Sequence, residues 1–282
     1  MTAMRVAPGI DTPDIVTSER LSVDPALSPS SLEVRLARDW AEVEAAQRLR
    51  YRVFMQEMGA VGECDSTGLD VDRFDQAADH LIVIDHARDS AVVGTYRLMR
   101  RNQAMRCGGF YTEREFDIGA ILAMPGEILE LGRSCIDPAY RNRSSIQLLW
   151  RGIAAQVFAH RVVLMFGCAS LPGADPARHT DALDYLHRHH LAPEAVRPRA
   201  TAAERVEPPF AAQGKLTARH AVLGLPPLLK GYLRLGGWIG AGAVLDRRFN
   251  TTDVCMVVMT DHVTDRYFRH YHLPQTNAAR VS

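Results

Sequence analysis

The stretch GEILELGRSCIDPAYR, residues 126–141, decides the fold. Its part ILELGRSCI is an apolar run typical of a buried strand, yet it contains Glu130 and Arg133. On a regular pleat these two side chains would point to opposite faces. Gly132 between them permits a β-bulge, which would kink the strand and turn both charges to one face. Such a kink also frees backbone groups to bind a ligand.

The residues that follow complete a strand–helix–strand unit. Asn142 or Ser144 can cap a helix that ends near His160 and has apolar residues at helical spacing. The next run, VVLMFGC at 162–168, is apolar throughout, as in a parallel strand buried on both faces. This order predicts a βαβ unit with a right-handed crossover. We therefore predict an α/β fold of mixed (α+β) character.

Elements on either side extend this unit. LEVRLA at 32–37 alternates apolar and polar residues like a half-exposed strand, and Asp39 predicts the cap of a helix over 40–58. Residues 102–127 are interpreted as a loop with one helical turn, because glycines and scattered charges dominate. Two β-branched runs at 81–86 and 91–100 predict a hairpin, and a third at 253–259 predicts a last strand.

Length and composition predict one folded domain. The 282 residues are 47% hydrophobic, enough for a substantial core. Residues 1–30 end in a Pro/Ser-rich run and predict a disordered N-terminal tail. The single domain would span 31–275, with a core at 32–192, a connector or lid at 193–220 and a C-terminal part at 221–275.

Charge and cysteine usage narrow the class of protein. The 33 basic and 33 acidic residues cancel, which argues against a nucleic-acid partner. Five cysteines without a CxxC pair favour a reducing cytoplasm. The longest apolar stretch, 221–245, contains Lys230, Arg234 and two prolines, which disfavour a membrane span.

Four stretches resemble the acyl-carrier-protein-dependent branch of the GCN5-related N-acyltransferases, which includes acyl-homoserine-lactone synthases and bacterial ornithine N-acyltransferases. Two more, GCASLPGADP at 167–176 and the long run at 225–258, resemble the ornithine N-acyltransferases rather than the lactone synthases. The first four are LRYRVFMQEMG, DVDRFD, GTYRL and ELGR, at 49–59, 70–75, 94–98 and 130–133.

The resemblance implies a fold and a reaction. The fold would be a mixed central sheet with splayed parallel strands and flanking helices, and the donor's pantetheine arm would lie in the cleft. The reaction would move a 3-hydroxyacyl chain from acyl carrier protein to the α-amine of ornithine, giving lyso-ornithine lipid. No permanently bound cofactor is implied, since the donor is a phosphopantetheine thioester.

The chemistry assigns candidate roles. Glu130 would remove the proton of the ammonium, directly or through a water, and Arg133 would hold that carboxylate as its ion-pair partner. Backbone N–H groups near Gly132 and Ser134 would hold the oxyanion. A buried structural ion pair is the alternative for Glu130 and Arg133.

Charge matching assigns the substrate contacts. Arg50 or Arg97 would bind the carboxylate of ornithine, and Asp72 or Asp75 its distal ammonium. A solvated turn is the alternative for the loop that also contains Asp70. The acyl donor would contact the bulge and the start of the following helix through Gly132, Ser134, Arg141, Arg143 and Ser144. The alternative interpretation of this helix start is an ordinary capped terminus.

Other interpretations remain open. The acceptor could be another amine, the donor an acyl-CoA, the product a lactone, or the protein a non-catalytic acyl-carrier or membrane-binding module. Residues 226–239 could lie on the inner membrane surface or line the acyl pocket. The HRHH run at 187–190 lacks complementary ligands, so we predict no metal site. Cys168 closes an apolar strand and is interpreted as packing rather than as a nucleophile.

Overall fold

A mixed sheet forms the centre of the computed structural model, which describes residues 31–61, 67–201, 203–207, 222 and 224–261. The strands are β1 (Leu32–Leu36), β2 (Asp79–Asp85), β3 (Ala91–Arg100), β4 (Phe116–Asp117), β5 (Glu127–Ile136), β6 (Val162–Pro172), β7 (Arg199–Ala200), β8 (Arg205–Val206), β9 (Trp238–Ile239), β10 (Ala243–Asp246) and β11 (Thr251–Met259). Their order in the main sheet is β1-β2-β3-β5-β6-β11-β10-β8, with β9 also on β11, while β4 pairs with β7.

Helices flank the sheet. They are α1 (Trp40–Tyr51), α2 (Arg101–Arg106), α3 (Gly119–Leu122), α4 (Arg143–His160), α5 (Thr180–His190) and α6 (Pro227–Arg234). The first continues as a π-helix over Arg52–Glu57. The predicted cap Asp39 accepts a hydrogen bond from the backbone of Glu42, and Asn142 rather than Ser144 caps α4.

The two central strands diverge, as the fold prediction requires. β5 and β6 pair in parallel from Glu127 and Val162 to Glu130 and Phe166. Beyond that point β5 stays paired with β3, whereas β6 continues along β11 in antiparallel register. Glu130 therefore stands at the last parallel pair, where the sheet begins to open.

A β-bulge follows directly on β5. Gly132 pairs with Arg97 and Cys135 with Thr95, so that Arg133 and Ser134 together oppose one residue of β3. The predicted bulge is therefore present, but its left-handed residue is Arg133, with φ of 50°, rather than Gly132. A non-glycine residue in that region is strained, and this strain must be offset by the contacts of its side chain.

Gly167 allows the close approach of β6 to β5 at the divergence. Its φ of 158° is one that side chains rarely adopt. A Cβ atom added there would collide with the carbonyl oxygen of Leu131. A glycine is thus required where the two backbones lie closest, directly after their last parallel pair.

Helix α6 packs into the core. Leu229 and Tyr232 are buried, and the ring of Tyr232 meets that of Trp150 on α4 at 5.1 Å between centroids. The apolar stripe at 226–239 is accordingly directed inward in this structure. Across the described residues, none of the helices combines the length and the apolar character that crossing a bilayer demands.

One predicted region differs from the structure, and three others lie wholly or partly outside the described residues. Residues 102–127 contain most of α2, a 3₁₀ turn, β4 and α3 instead of one helical turn in a loop. The predicted tail at 1–30, residues 202 and 208–220 of the connector, and residues 221, 223 and 262–275 of the C-terminal part lie outside the described residues.

Candidate active site

Glu130 projects from the point of divergence towards a 3₁₀ turn at Tyr111–Arg114. Its Oε1 accepts hydrogen bonds from the backbone N–H of Thr112 at 2.7 Å and from the hydroxyl of Thr112 at 2.6 Å. Its Oε2 accepts from the backbone N–H of Tyr111 at 3.2 Å. Burial raises the pKa of Glu130, and the bonds from Thr112 oppose that rise. A carboxylate has about four acceptor positions, which leaves room for one further donor.

Arg133 lies on the same face but has other partners. Its guanidinium carbon is 4.7 Å from the ring centroids of both Tyr111 and Phe249. Its nitrogens pair with Asp72 at 2.9 Å and with Asp70 at 3.2 Å. The expected shared face is therefore observed, whereas the expected ion pair with Glu130 is replaced, because the aspartate loop reaches the guanidinium.

A buried network of three arginines and three aspartates surrounds this point. Arg50 pairs with Asp70 at 2.9 Å and with Asp75 at 2.7 Å. Arg97 pairs with Asp72 at 2.5 Å and with Asp75 at 3.0 Å. Burial alone would raise the pKa of Asp75, but Arg50 and Arg97 hold it well below its usual range. The pKa of Asp72 is lowered in the same way by Arg97 and by the arginine of the bulge.

This network does not favour the substrate contacts predicted for its members. Arg50 and Arg97 were expected to bind a carboxylate, and Asp72 or Asp75 an ammonium. The side chains of Arg50, Arg97 and Asp75 are at most 2% exposed, and each already has an oppositely charged partner. The formal charges of the six side chains cancel, so the network offers no uncompensated charge to a ligand.

The residues predicted to bind the acyl donor belong to the bulge of β5 and to the segment at the start of α4. A Cβ atom on Gly132 would meet nothing within 4 Å, so the space beside it is open. Arg141 donates to both oxygens of Glu57, at 2.5 and 2.6 Å, which satisfies much of its charge locally. Ser144 is exposed in the first turn of α4, while the side chain of Arg143 lies outside the described residues.

Sequence reasoning missed a second acidic group beside Glu130. Glu115 and Asp253 lie with Cys168 such that the ligand atoms of all three are within 4.8 Å of one another. This is the one group of three potential metal ligands within the described ranges, and it includes no residue of HRHH. The missed signal was Asp253, a carboxylate directly before the apolar run 254–259 of β11.

The electrostatics of this second group differ from those of the network. Burial and repulsion from Asp253 and Asp246 raise the pKa of Glu115. Burial raises the pKa of Asp253 as well. Burial also raises the pKa of Cys168 well above its usual value, which disfavours the nucleophilic thiolate and fits the packing interpretation.

Comparisons with known proteins identify the family to which the chain belongs. A family model described as acetyltransferase (GNAT) domain matches residues 49–151. A protein named L-ornithine N(alpha)-acyltransferase from Rhodobacter capsulatus is 42% identical over 252 residues, covering 87% of this chain and 96% of the relative. Proteins of the same name from Rhizobium meliloti and Brucella abortus are 42% and 43% identical, covering 86% of this chain and 84% and 89% of their own.

Among solved structures, the AHL synthase LasI matches with a TM-score of 0.47 and 12% identity, covering 83% of this chain and 95% of that chain. A similarity of that size carries no argument about the site. The three matches are well above 30% identity and cover at least 84% of both sequences, and the matched GNAT region contains both Glu130 and the diverging strand β5. The chain therefore belongs to the L-ornithine N(alpha)-acyltransferase family and is an acyltransferase of the GNAT fold.

Proposed function

We propose that the protein transfers a 3-hydroxyacyl chain from acyl carrier protein to the α-amine of ornithine, giving lyso-ornithine lipid. The acceptor follows from the names of relatives that match most of the chain. The observation that carries the chemistry is Glu130, a buried carboxylate fixed at the point where β5 and β6 separate. The gap between the strands would admit the thioester beside that carboxylate.

Glu130 would act as the general base. An amine attacks a thioester only when neutral, so the α-ammonium must first lose a proton. Three hydrogen bonds from Tyr111 and Thr112 fix the carboxylate and leave one acceptor position on Oε2, which suits a bridging water. The raised pKa of Glu130 increases its basicity relative to an exposed glutamate.

The remaining steps balance without a cofactor. The neutral nitrogen forms a bond to the thioester carbon, and the oxyanion of the tetrahedral intermediate is held by backbone N–H groups of the bulge around Ser134. Collapse breaks the carbon–sulfur bond. The second proton of the nitrogen passes to the departing thiolate, which yields an amide and a free pantetheine thiol.

The donor and the partners belong to the same proposal. The start of α4, capped by Asn142, offers backbone N–H groups that suit the phosphate of a phosphopantetheine arm, which acyl carrier protein and acyl-CoA share. We assign acyl carrier protein as the partner on the strength of the family resemblance. The acylated product is amphiphilic, so its release at a membrane surface is expected, while α6 stays packed in the core.

The test uses purified full-length protein. It is incubated with 3-hydroxyacyl carrier protein or 3-hydroxyacyl-CoA and a panel of amino acids, and the products are identified by mass spectrometry. We expect acylated ornithine from the carrier-bound donor and its loss in Glu130→Gln. Acylation of another amine with ornithine untouched would indicate a different N-acyl amino acid synthase, and binding of acyl carrier protein without turnover would indicate a binding module.

A further inference from the structure

Glu115 and Asp253 form a buried acidic pair that the proposed chemistry leaves without a role. They are only 8% and 4% exposed. The Oε2 atom of Glu115 and the Oδ1 atom of Asp253 have no hydrogen-bond partner among the described residues. Buried carboxylate oxygens are normally paired, so two unpaired ones in a single cluster indicate a missing donor.

The missing donor is expected to be positively charged. The field of Arg133 reaches both carboxylates, but that guanidinium already pairs with Asp70 and Asp72. The charge of the pair is therefore not compensated locally, in contrast to the network of arginines and aspartates. Two adjacent buried carboxylates without a counter-charge retain a proton between them.

The spacing fits one ammonium group. An ammonium that donates to two oxygens at ordinary hydrogen-bond lengths and a tetrahedral angle holds those oxygens about 4.7 Å apart. The ligand atoms of Glu115, Asp253 and Cys168 all lie within 4.8 Å of one another. A primary ammonium has three donors, which matches two carboxylates and one weak sulfur acceptor.

The pair also lies close to the proposed base. The hydroxyl oxygen of Thr112 is 2.6 Å from Glu130 and 3.9 Å from the sulfur of Cys168, which belongs to the acidic cluster. The five bonds between the two nitrogens of ornithine extend over about 6 Å. One molecule can therefore present its α-nitrogen near Glu130 and its terminal nitrogen to Glu115 and Asp253.

We infer that Glu115 and Asp253 bind the side-chain ammonium of the acceptor amino acid and thereby select a diamino acid. The inference rests on the proposed function, since it names where that acceptor is held. It moves the ammonium contact from Asp72 and Asp75, which are neutralised by arginines, to a pair whose charge is unmatched.

The first experiment compares ornithine with norvaline, which has the same carbon chain without the terminal ammonium. Glu115→Gln and Asp253→Asn are measured beside Glu204→Gln, an exposed carboxylate that pairs with Arg247. In each acidic-pair variant we expect the ratio of kcat/KM for ornithine over norvaline to fall at least about tenfold. Glu204→Gln should keep the wild-type ratio, and norvaline turnover should persist in all three.

A second measurement needs no variant. Ornithine binding to the wild-type protein should release protons near neutral pH, because the ammonium replaces the proton held by the pair. Calorimetry in buffers of different ionisation enthalpy measures this release. Asp246, Cys168 and Arg133 also face these carboxylates, so norvaline binding serves as the control for their response. Norvaline should release fewer protons than ornithine.

The outcomes separate the two proposals. Normal acylation of ornithine by the wild type with an unchanged ornithine-to-norvaline ratio in both variants would overturn the inference alone. Equal proton release with both amino acids would also contradict it. Stoichiometric binding of Zn²⁺ or Mn²⁺ to the purified protein, lost in both variants, would assign the pair to a metal instead. Failure of the wild type to acylate any diamino acid would overturn the proposed function together with the inference.

Discussion

Thr112 shows how one side chain can tune the proposed base. Glu130 is buried beside Phe166 and its pKa is raised by that burial. The hydroxyl and the backbone N–H of Thr112 both donate to the same oxygen, and donors of this kind stabilise the ionised form. The pKa of Glu130 therefore depends on whether that hydroxyl is present.

We expect Thr112→Val to move the acid limb of the kcat/KM profile to higher pH. The substitution removes a donor to the carboxylate, so the pKa of Glu130 rises and the base is ionised only in more alkaline solution. A pH profile with ornithine and the carrier-bound donor measures the shift. Thr112→Ser retains the hydroxyl and should restore the wild-type limb; identical limbs in all three proteins would remove Glu130 from the role of base.

Glu115 carries an energetic cost in the free protein. Its pKa is raised to about 8, so at neutral pH the folded protein keeps this carboxyl protonated whereas the unfolded chain ionises it, and this difference lowers the free energy of unfolding. Glu115→Gln should therefore stabilise the unliganded protein at neutral pH by about 1–2 kcal/mol. Urea unfolding measures this change, with Glu204→Gln as the exposed control. A loss of stability would show that Glu115 is already compensated.

Among the strands, Gly167 controls the gap between β5 and β6. A side chain at this position would collide with the carbonyl oxygen of Leu131, and the φ of the residue is unfavourable for any residue but glycine. Gly167→Ala should therefore force β6 away from β5. We expect a loss of at least about 2 kcal/mol in unfolding free energy and a raised KM for the acyl donor. Gly132→Ala, whose added Cβ meets nothing within 4 Å, is the matched control and should unfold like the wild type.

The elements that sequence patterns predicted best were the long ones. α4, β5 and the hairpin of β2 and β3 span enough residues for their apolar periodicity to appear. Residues 102–127 did not show it, because α2 and α3 have six and four residues and complete at most two turns. Their position depends on contacts with distant parts of the chain instead.

In the complete fold, the site combines segments that lie far apart in the sequence. The GNAT resemblance brought together Glu130, Arg133 and the aspartate loop, but not their pairing, which depends on how that loop lies against β3 and β5. Glu115 and Asp253 were missed for a related reason. Each is a single carboxylate without a motif, and only the folding of β4 and β11 around the opening makes them neighbours.

The two acidic groups predict opposite responses of stability to pH. Asp72 and Asp75 have lowered pKa values, so their contribution is complete above about pH 4 and is lost as the pH falls below it. Glu115 and Asp253 have raised pKa values, so the stability lost by keeping them protonated grows as the pH rises above about 4. These four groups together favour greatest stability in mildly acidic solution.

Variants can separate the two limbs of that dependence. Asp75→Asn leaves Arg50 and Arg97 each short of a partner and should cost about 3–5 kcal/mol at neutral pH. It should also flatten the acid limb of unfolding free energy against pH, whereas Glu115→Gln should flatten the limb above pH 4. Chemical unfolding across pH 3–8 tests both, and an unchanged acid limb in Asp75→Asn would contradict the assigned role of the network.

The charge balance of the six-residue network has a consequence for classifying genomes. A substitution of one member leaves a buried opposite charge without its partner. Substitutions at these positions are therefore tolerated chiefly as compensating pairs. Proteins that diverge to new acceptors can then keep the whole set. Recognising it in a newly sequenced bacterium identifies the shared scaffold, while the choice of amine has to be inferred from positions outside it.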